Sequence, residues 1–431
     1  MNILRAVSGV WWGSHPTTLK LLYNALVRSH LDYGSFLLEP LSKSNIAKLN
    51  LIQSQALRII AGAMKSSPIN ALQVECVVPP LSLRRQYLAD RFLLKAARFS
   101  NHPLFPKLTL LNRYVDNNPY WRIKPRPLLT ISFQRLESQT VQVFQNPLLP
   151  LYSTPYDSVM HRPSVNIALG VGKTSPNANG LFNSIMDSHW RNWVRIFTDA
   201  SKTLPNGHVG AAFYCPSTSH SAYFRLPKEA SVFTGECRAI VEALKYASQK
   251  NIPKLLILSD SLSSLQSLLA NPFRSPPSVL SLQIKQLTLD LERSGSDVVL
   301  AWIPGHSGII GNEIADAKAR FAAVSGDPCY SQNFIDDLLP LARVRVVSDW
   351  QRVWEISSRI TGAGYFRIQP AIPSKPWFSK FVFTKRETSV VSRMRIGHCC
   401  TPVHLARLRL RDSPVCDCGL GDGDLNHLIF A

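Results

Sequence analysis

The chain has 431 residues, 45% of them hydrophobic, and its 48 lysines and arginines against 28 acids give a formal net charge of +20 and a pI near 9.8. That length accommodates two to four domains with filled cores, and the charge points to a polyanionic partner, nucleic acid first and an anionic membrane surface second. No stretch approaches the roughly 18–20 uninterrupted apolar residues of a membrane span and the N-terminus lacks a signal-peptide pattern, so a soluble intracellular protein is expected, nucleus and cytoplasm not being distinguished. Cys76, Cys215, Cys237 and Cys329 stand singly, whereas Cys399, Cys400, Cys416 and Cys418 gather near the end. This is no disulfide framework, and the terminal group suits a metal site better.

Residues 1–100 read as helices. Leu19, Leu22, Ala25, Leu26 and His30 fall at helical spacing, as do Ile46, Leu49, Ile52, Leu57 and Ile60. Basic amphipathic helices of this kind suit a phosphate backbone, and a helical bundle with a solvated basic face fits equally well. Between 101 and 190 prolines accumulate, Pro103, Pro106, Pro119, Pro125, Pro127, Pro147, Pro150, Pro155, Pro163 and Pro176 among them, which predicts an irregular connection.

Regular alternation resumes near 191. Strands are expected over 193–198, 209–214, 221–226, 254–259 and 298–303, with helices over 230–249, 262–269, 279–291 and 310–324. The order β-β-β-α-β-α-α-β-α describes an α/β domain, a mixed five-stranded sheet with flanking helices. The charge is uneven: residues 1–100 carry 12 basic to 4 acidic side chains, 101–190 carry 8 to 4, 191–330 carry 14 to 11 and 331–431 carry 14 to 9. The least basic region is therefore the one with the regular α/β pattern, as expected if the flanks hold a nucleic acid on which the centre works.

Within that region four acids stand where apolar neighbours predict burial. Glu236 shares a helical stripe with Ile240, Ala243 and Ala247, Asp260 follows the run Leu255–Leu258, Asp199 follows Ile196, Phe197 and Thr198, and Asp316 lies two residues after Ile314. Two like charges about 4 Å apart repel by roughly 4 kcal/mol at an effective dielectric of 20. Divalent cations would turn that repulsion into ligation, and hard oxygen donors select Mg2+ or Mn2+, a pair of which supports phosphodiester hydrolysis. Taken singly, Asp199 fits a turn, Asp260 a helix N-cap, Glu236 a solvated side chain and Asp316 a surface pair. Their joint order favours the metal site.

The same residues carry a family resemblance. Phe197-Thr198-Asp199-Ala200-Ser201, Gly235-Glu236-Cys237-Arg238-Ala239-Ile240, Leu258-Ser259-Asp260-Ser261 and Trp302-Ile303-Pro304-Gly305-His306-Ser307-Gly308, followed by Gly311-Asn312-Glu313-Ile314-Ala315-Asp316, resemble the successive motifs of type I ribonuclease H. The resemblance covers about 191–325. It implies a ribonuclease H-like fold and cleavage of the RNA strand of RNA/DNA hybrids, with Asp199, Glu236, Asp260 and Asp316 as ligands of two Mg2+ or Mn2+ ions. Ala200 stands where the family more often has glycine. His306, between Gly305 and Gly308, lies in a loop that could bring an imidazole to the scissile phosphate for proton handling or product release, a role the family likeness also implies.

The flanks resemble something else. Leu22-Tyr23-Asn24-Ala25-Leu26-Val27, Leu31-Asp32-Tyr33-Gly34-Ser35 and Ile52-Gln53-Ser54-Gln55-Ala56-Leu57-Arg58-Ile59-Ile60-Ala61-Gly62 are similar to the region after the polymerase palm in non-LTR retrotransposon reverse transcriptases. The likeness implies the C-terminal part of a retroelement polyprotein, other parts of which would be partners. Phe334-Ile335-Asp336-Asp337 lacks a flanking hairpin pattern and reads as a solvated helix start, not a polymerase motif. The last segment resembles a truncated zinc knuckle with Cys416, Cys418 and His427 as Zn2+ ligands, a fourth coming from Cys399, Cys400, His398 or His404; buried free cysteines fit equally well. The expected organisation is thus a post-palm-like helical region (1–100), an irregular connection (101–190), a ribonuclease H domain (191–325) and a basic, α-rich C-terminal region (326–431). The alternative function is a catalytically silent nucleic-acid-binding retroelement remnant.

Overall fold

The computed structural model describes residues 1–9, 11–138, 142–145, 150–173, 175, 177–204, 206–274, 277–326, 328 and 332–430; Pro147, Pro176 and Cys329 lie outside the described residues. Two compact units result: a terminal unit built from Met1–Leu93, Leu104–Arg135 and Leu341–Ala431, and a central unit built from Leu94–Pro103 and Leu136–Pro340.

In the central unit the nine expected elements occur in the expected order. They are β1 (Val194–Ser201), β2 (Val209–Cys215), β3 (His220–Leu226), α1 (Val232–Gln249), β4 (Lys254–Ser259), α2 (Leu262–Leu269), α3 (Val279–Arg293), β5 (Asp297–Trp302) and α4 (Ile310–Ser325). β1, β2 and β3 form an antiparallel meander, while β4 and β5 continue the sheet in parallel with β1. The sheet has six strands rather than five, because Ser164–Asn166 pairs in parallel with β5 at the edge. The extra strand comes from the stretch expected to be irregular, and it covers an edge that would otherwise leave backbone groups unpaired.

Both faces of the sheet are packed. Ile196 and Phe197, successive residues on β1, point to opposite sides. Ile196 joins Ile240, Leu244 and Ala247 of α1, and Phe197 joins Leu256 and Leu258 of β4 and Ala315 of α4. Burial on both sides explains why β4 reads as an unbroken apolar run: Leu255, Leu256, Ile257 and Leu258 are all fully buried, each contributing roughly 1.5–3 kcal/mol. Gly210 on β2 lets α4 come close, since a Cβ there would lie 1.9 Å from the Ala319 carbonyl oxygen.

Residues 101–190 also hold regular helices, Leu104–Asn117, Leu128–Ser138 and Ala178–His189, which corrects the expected irregular connection. Several of the prolines sit where helices start. Pro103 and Pro127 directly precede helices, Pro106 lies in a first turn and Pro119 opens a 3-10 turn. Proline has no N–H to lose at those positions.

The terminal unit is helical and draws on both ends of the chain, which were expected as separate regions. Leu19, Tyr23, Ile60 and Leu72 share one core with Trp350, Trp354, Tyr365 and Phe378. At its heart the carboxylate of Glu75, 1% exposed, accepts from Tyr365 Oη and Trp377 Nε1 (both 2.5 Å), Ser392 Oγ (2.9 Å) and Arg395 Nε (3.2 Å).

Candidate active site

Strand register brings the first two acids together. Thr198 pairs with Ser259 in the parallel β1–β4 ladder, so Asp199 and Asp260 are the next residues on neighbouring strands about 4.8 Å apart. Glu236, in the second turn of α1, reaches the same place: its Oε1 accepts from the Ala200 backbone N–H (3.1 Å), which also donates to Asp199 Oδ1 (2.7 Å). One carboxylate oxygen from each of Asp199, Glu236 and Asp260 lies within 4.8 Å of the others.

Asp316, on the second turn of α4, belongs to an adjoining group with His306 and Glu313, whose ligand atoms are likewise within 4.8 Å of one another. His306 Nδ1 lies 3.6 Å from Asp316 Oδ2, and Arg320 also pairs with that carboxylate. Glu313 was missed by the sequence reading. Its position three residues before Asp316 on a helix puts both on one face, and that spacing was a usable signal.

The loop between β5 and α4 is shaped by close approach. A Cβ at Gly305 would lie 2.4 Å from Asp260 Oδ2, so a side chain there would collide with the acid. His306 follows at φ 53°, a left-handed conformation uncommon for a non-glycine residue, with its imidazole 70% exposed. Asn312 Nδ2 lies 3.4 Å from Asp260 Oδ2, and the Trp302 indole donates to the Asp260 carbonyl oxygen (3.1 Å).

Electrostatically the cluster is unfavourable as it stands. Burial, with the Asp260 and Asp316 charges adding to it, pushes the Asp199 carboxyl up to about 8. Burial raises Glu236 well above the usual carboxylate range, helped by Asp199 and Asp260, and burial raises Asp260 as well. Glu236 Oε2 is buried with no hydrogen-bond partner among the described residues. A desolvated, oxygen-only donor set with an orphaned carboxylate oxygen fits a hard divalent cation. Asp199, Glu236 and Asp260 could hold one directly, with Asp316 at its border.

The three residues expected as Zn2+ ligands lie near one another. Ligand atoms of Cys416, Cys418 and His427 lie within 4.8 Å of one another, with Cys418 Sγ 3.0 Å from His427 Nε2. No fourth ligand joins them among the described residues, and His398 and His404 instead contact Ser66 Oγ at 3.1 and 3.3 Å. The helix start at Ile335 is present, but Asp337 is only 7% exposed and so is not solvated.

A mixed sheet with buried carboxylates gathered from two strand ends and a flanking helix is a frame that could hold a metal. Residues 191–324 match the RNase H family model, so this stretch, about a third of the chain, is an RNase H domain. The chain is 27% identical over 150 residues to human ribonuclease H1, covering 32% of this chain and 52% of that protein. It is 29% identical over 142 residues to mouse ribonuclease H1, covering 30% and 50%. The chain thus spans about half the length of the curated relatives it matches. A crystal structure of RNase H1 from the archaeon Halobacterium salinarum aligns over 30% of this chain and 96% of that one, at 18% identity and a TM-score of 0.25. Among the described residues no helix is long and apolar enough to cross a membrane.

Proposed function

We propose that this chain is a metal-dependent endonuclease that hydrolyses the RNA strand of RNA/DNA hybrids, with Asp199, Glu236, Asp260 and Asp316 as ligands of two Mg2+ or Mn2+ ions. The observation that carries the reading is the trio Asp199, Glu236 and Asp260, converged and buried with Glu236 Oε2 unpartnered, inside a stretch that matches the RNase H family. Bound ions would supply charge neutralisation for the scissile phosphate and activation of the attacking water. The chain's own residues do the positioning. The Ala200 N–H orients Asp199 and Glu236 together, Asn312 steadies Asp260, and Gly305 leaves the acid room. His306, exposed and beside Asp316, is placed to pass a proton to or from a substrate oxygen.

The excess of positive charge is concentrated in one unit. The terminal unit carries 30 lysines and arginines against 12 acids, the central unit 18 against 16. This supports a role for the terminal unit in gripping phosphates, and its sequence likeness to post-palm segments supports a non-LTR retroelement origin. Cys416, Cys418 and His427 are proposed as three ligands of a Zn2+ site. Labelled RNA/DNA hybrid, duplex RNA and duplex DNA, each incubated with the purified chain in Mg2+, test the substrate class. The reading expects cuts in the RNA strand of the hybrid alone, and equal cutting of duplex DNA contradicts it.

A further inference from the structure

The helix that carries Glu236 is held at its first turn by a carboxylate from beyond the family-matched stretch. Ser231 caps α1 in the ordinary way, its Oγ accepting from the Thr234 N–H (3.2 Å). Asp337 adds a second hold. Its Oδ1 accepts from the Ser231 backbone N–H (3.1 Å), and the Thr234 hydroxyl lies 2.9 and 2.8 Å from its two carboxylate oxygens. A negative group at this end also complements the helix dipole.

Asp337 does not act in isolation. The segment before it pairs in parallel with Gln142–Val143 through Gln332 and Asn333, and Asn333 Nδ2 lies 3.5 Å from Glu229 Oε2, just ahead of α1. Phe334 packs on the core cluster of α1, with the Arg238 guanidinium 6.0 Å from its ring centroid. Strand pairing anchors the segment, while its ring and its buried carboxylate bear on the first turns of α1, where Glu236 sits two residues after Thr234. Among the described residues Glu236 Oε1 accepts from the Ala200 N–H and Oε2 has no hydrogen-bond partner, so the placement of that second oxygen follows the placement of the helix.

We propose that residues 332–337 form a clasp on α1 and that Asp337 is a positioning residue, setting Glu236 against Asp199 and Asp260 for metal binding. This rests on the ribonuclease reading above for the reaction it serves, but the clasp itself is read by metal affinity. The test uses the full chain with Asp337→Ala, Asp337→Asn and Thr234→Val, followed by calorimetric Mn2+ titration and by initial rates against hybrid concentration. Groups that orient a metal ligand typically change affinity or activity 10–100-fold. Asp337→Ala is expected to weaken Mn2+ binding and lower kcat about tenfold, with the hybrid KM within about twofold. Asp337→Asn, which keeps an acceptor for Thr234, recovers most of both, and adding Thr234→Val to Asp337→Ala costs little more because the two share one contact. Mn2+ affinity within about twofold of wild type in Asp337→Ala overturns the clasp. Should that variant not fold, the near-isosteric Thr234→Val is read by the same criterion. A wild-type chain that binds Mn2+ but cuts no hybrid removes the ribonuclease reading and leaves the clasp to be decided by the titration alone.

Discussion

Both units bury carboxylates, and Glu75 and the acid cluster of the central unit are treated in opposite ways. Glu75 in the terminal unit is surrounded by four donors, including an arginine, so its charge is fully answered by protein. Asp199, Glu236 and Asp260 in the central unit press on one another, and among the described residues a shared backbone N–H and one asparagine amide, with no arginine, answer their carboxylates. A buried acid with every lone pair satisfied is a packing device, whereas buried acids left short of partners mark a place where something else is to bind.

Substitutions can sharpen that contrast. Glu75→Ala strands Arg395 and three other donors and should cost about 3–5 kcal/mol in chemical denaturation, as breaking a buried ion pair does. Glu236→Gln should do the reverse: hybrid cleavage falls at least about a hundredfold, while the melting temperature without metal does not drop, because an amide in that buried place has no charge to desolvate. A large loss of stability in Glu236→Gln would erase the distinction between the units. His306→Ala, at an exposed position, is expected to lower kcat about tenfold or more with KM little changed, read from steady-state cleavage rates.

The gentlest probe is pH. The Asp199 carboxyl titrates near 8 in the fold and near 3.8 when unfolded, so the folded chain binds the extra proton between those values. Stability without metal therefore declines as pH rises from about 4 to about 8, and Glu236 and Asp260, also raised, push the same way. Divalent metal should release protons on binding and restore most at the alkaline end, which melting curves across that range with and without Mg2+ will show. An unchanged melting temperature over the window contradicts the burial of these acids.

Much of the central unit was legible in sequence because its signals are local. Lys254–Ser259 and Leu262–Leu269 have the bounds expected of them, since an unbroken apolar run followed by a helical stripe leaves little choice. Asp199, Glu236, Asp260 and Asp316 stood out as charges on apolar faces. What escaped depends on partners far away in the chain. The edge strand Ser164–Asn166 is three residues long and acquires its meaning only beside Val299–Ala301. Asp337 looks solvated next to Asp336 until Ser231 and Thr234, more than 100 positions earlier, are folded against it. The helices between 104 and 189 were hidden by prolines read as breakers when several of them mark helix starts. Nothing near Glu75 in sequence announces Tyr365, Trp377, Ser392 and Arg395.

The crowded acids of the central unit are proposed as a metal site for RNA cleavage in hybrids. Its most direct test compares wild type with Asp260→Asn on an RNA-labelled hybrid, in Mg2+ and again with chelator. The account predicts RNA cleavage by wild type in Mg2+ alone and none by the variant. Absence of cleavage by wild type, or cleavage that persists in Asp260→Asn or under chelation, contradicts it.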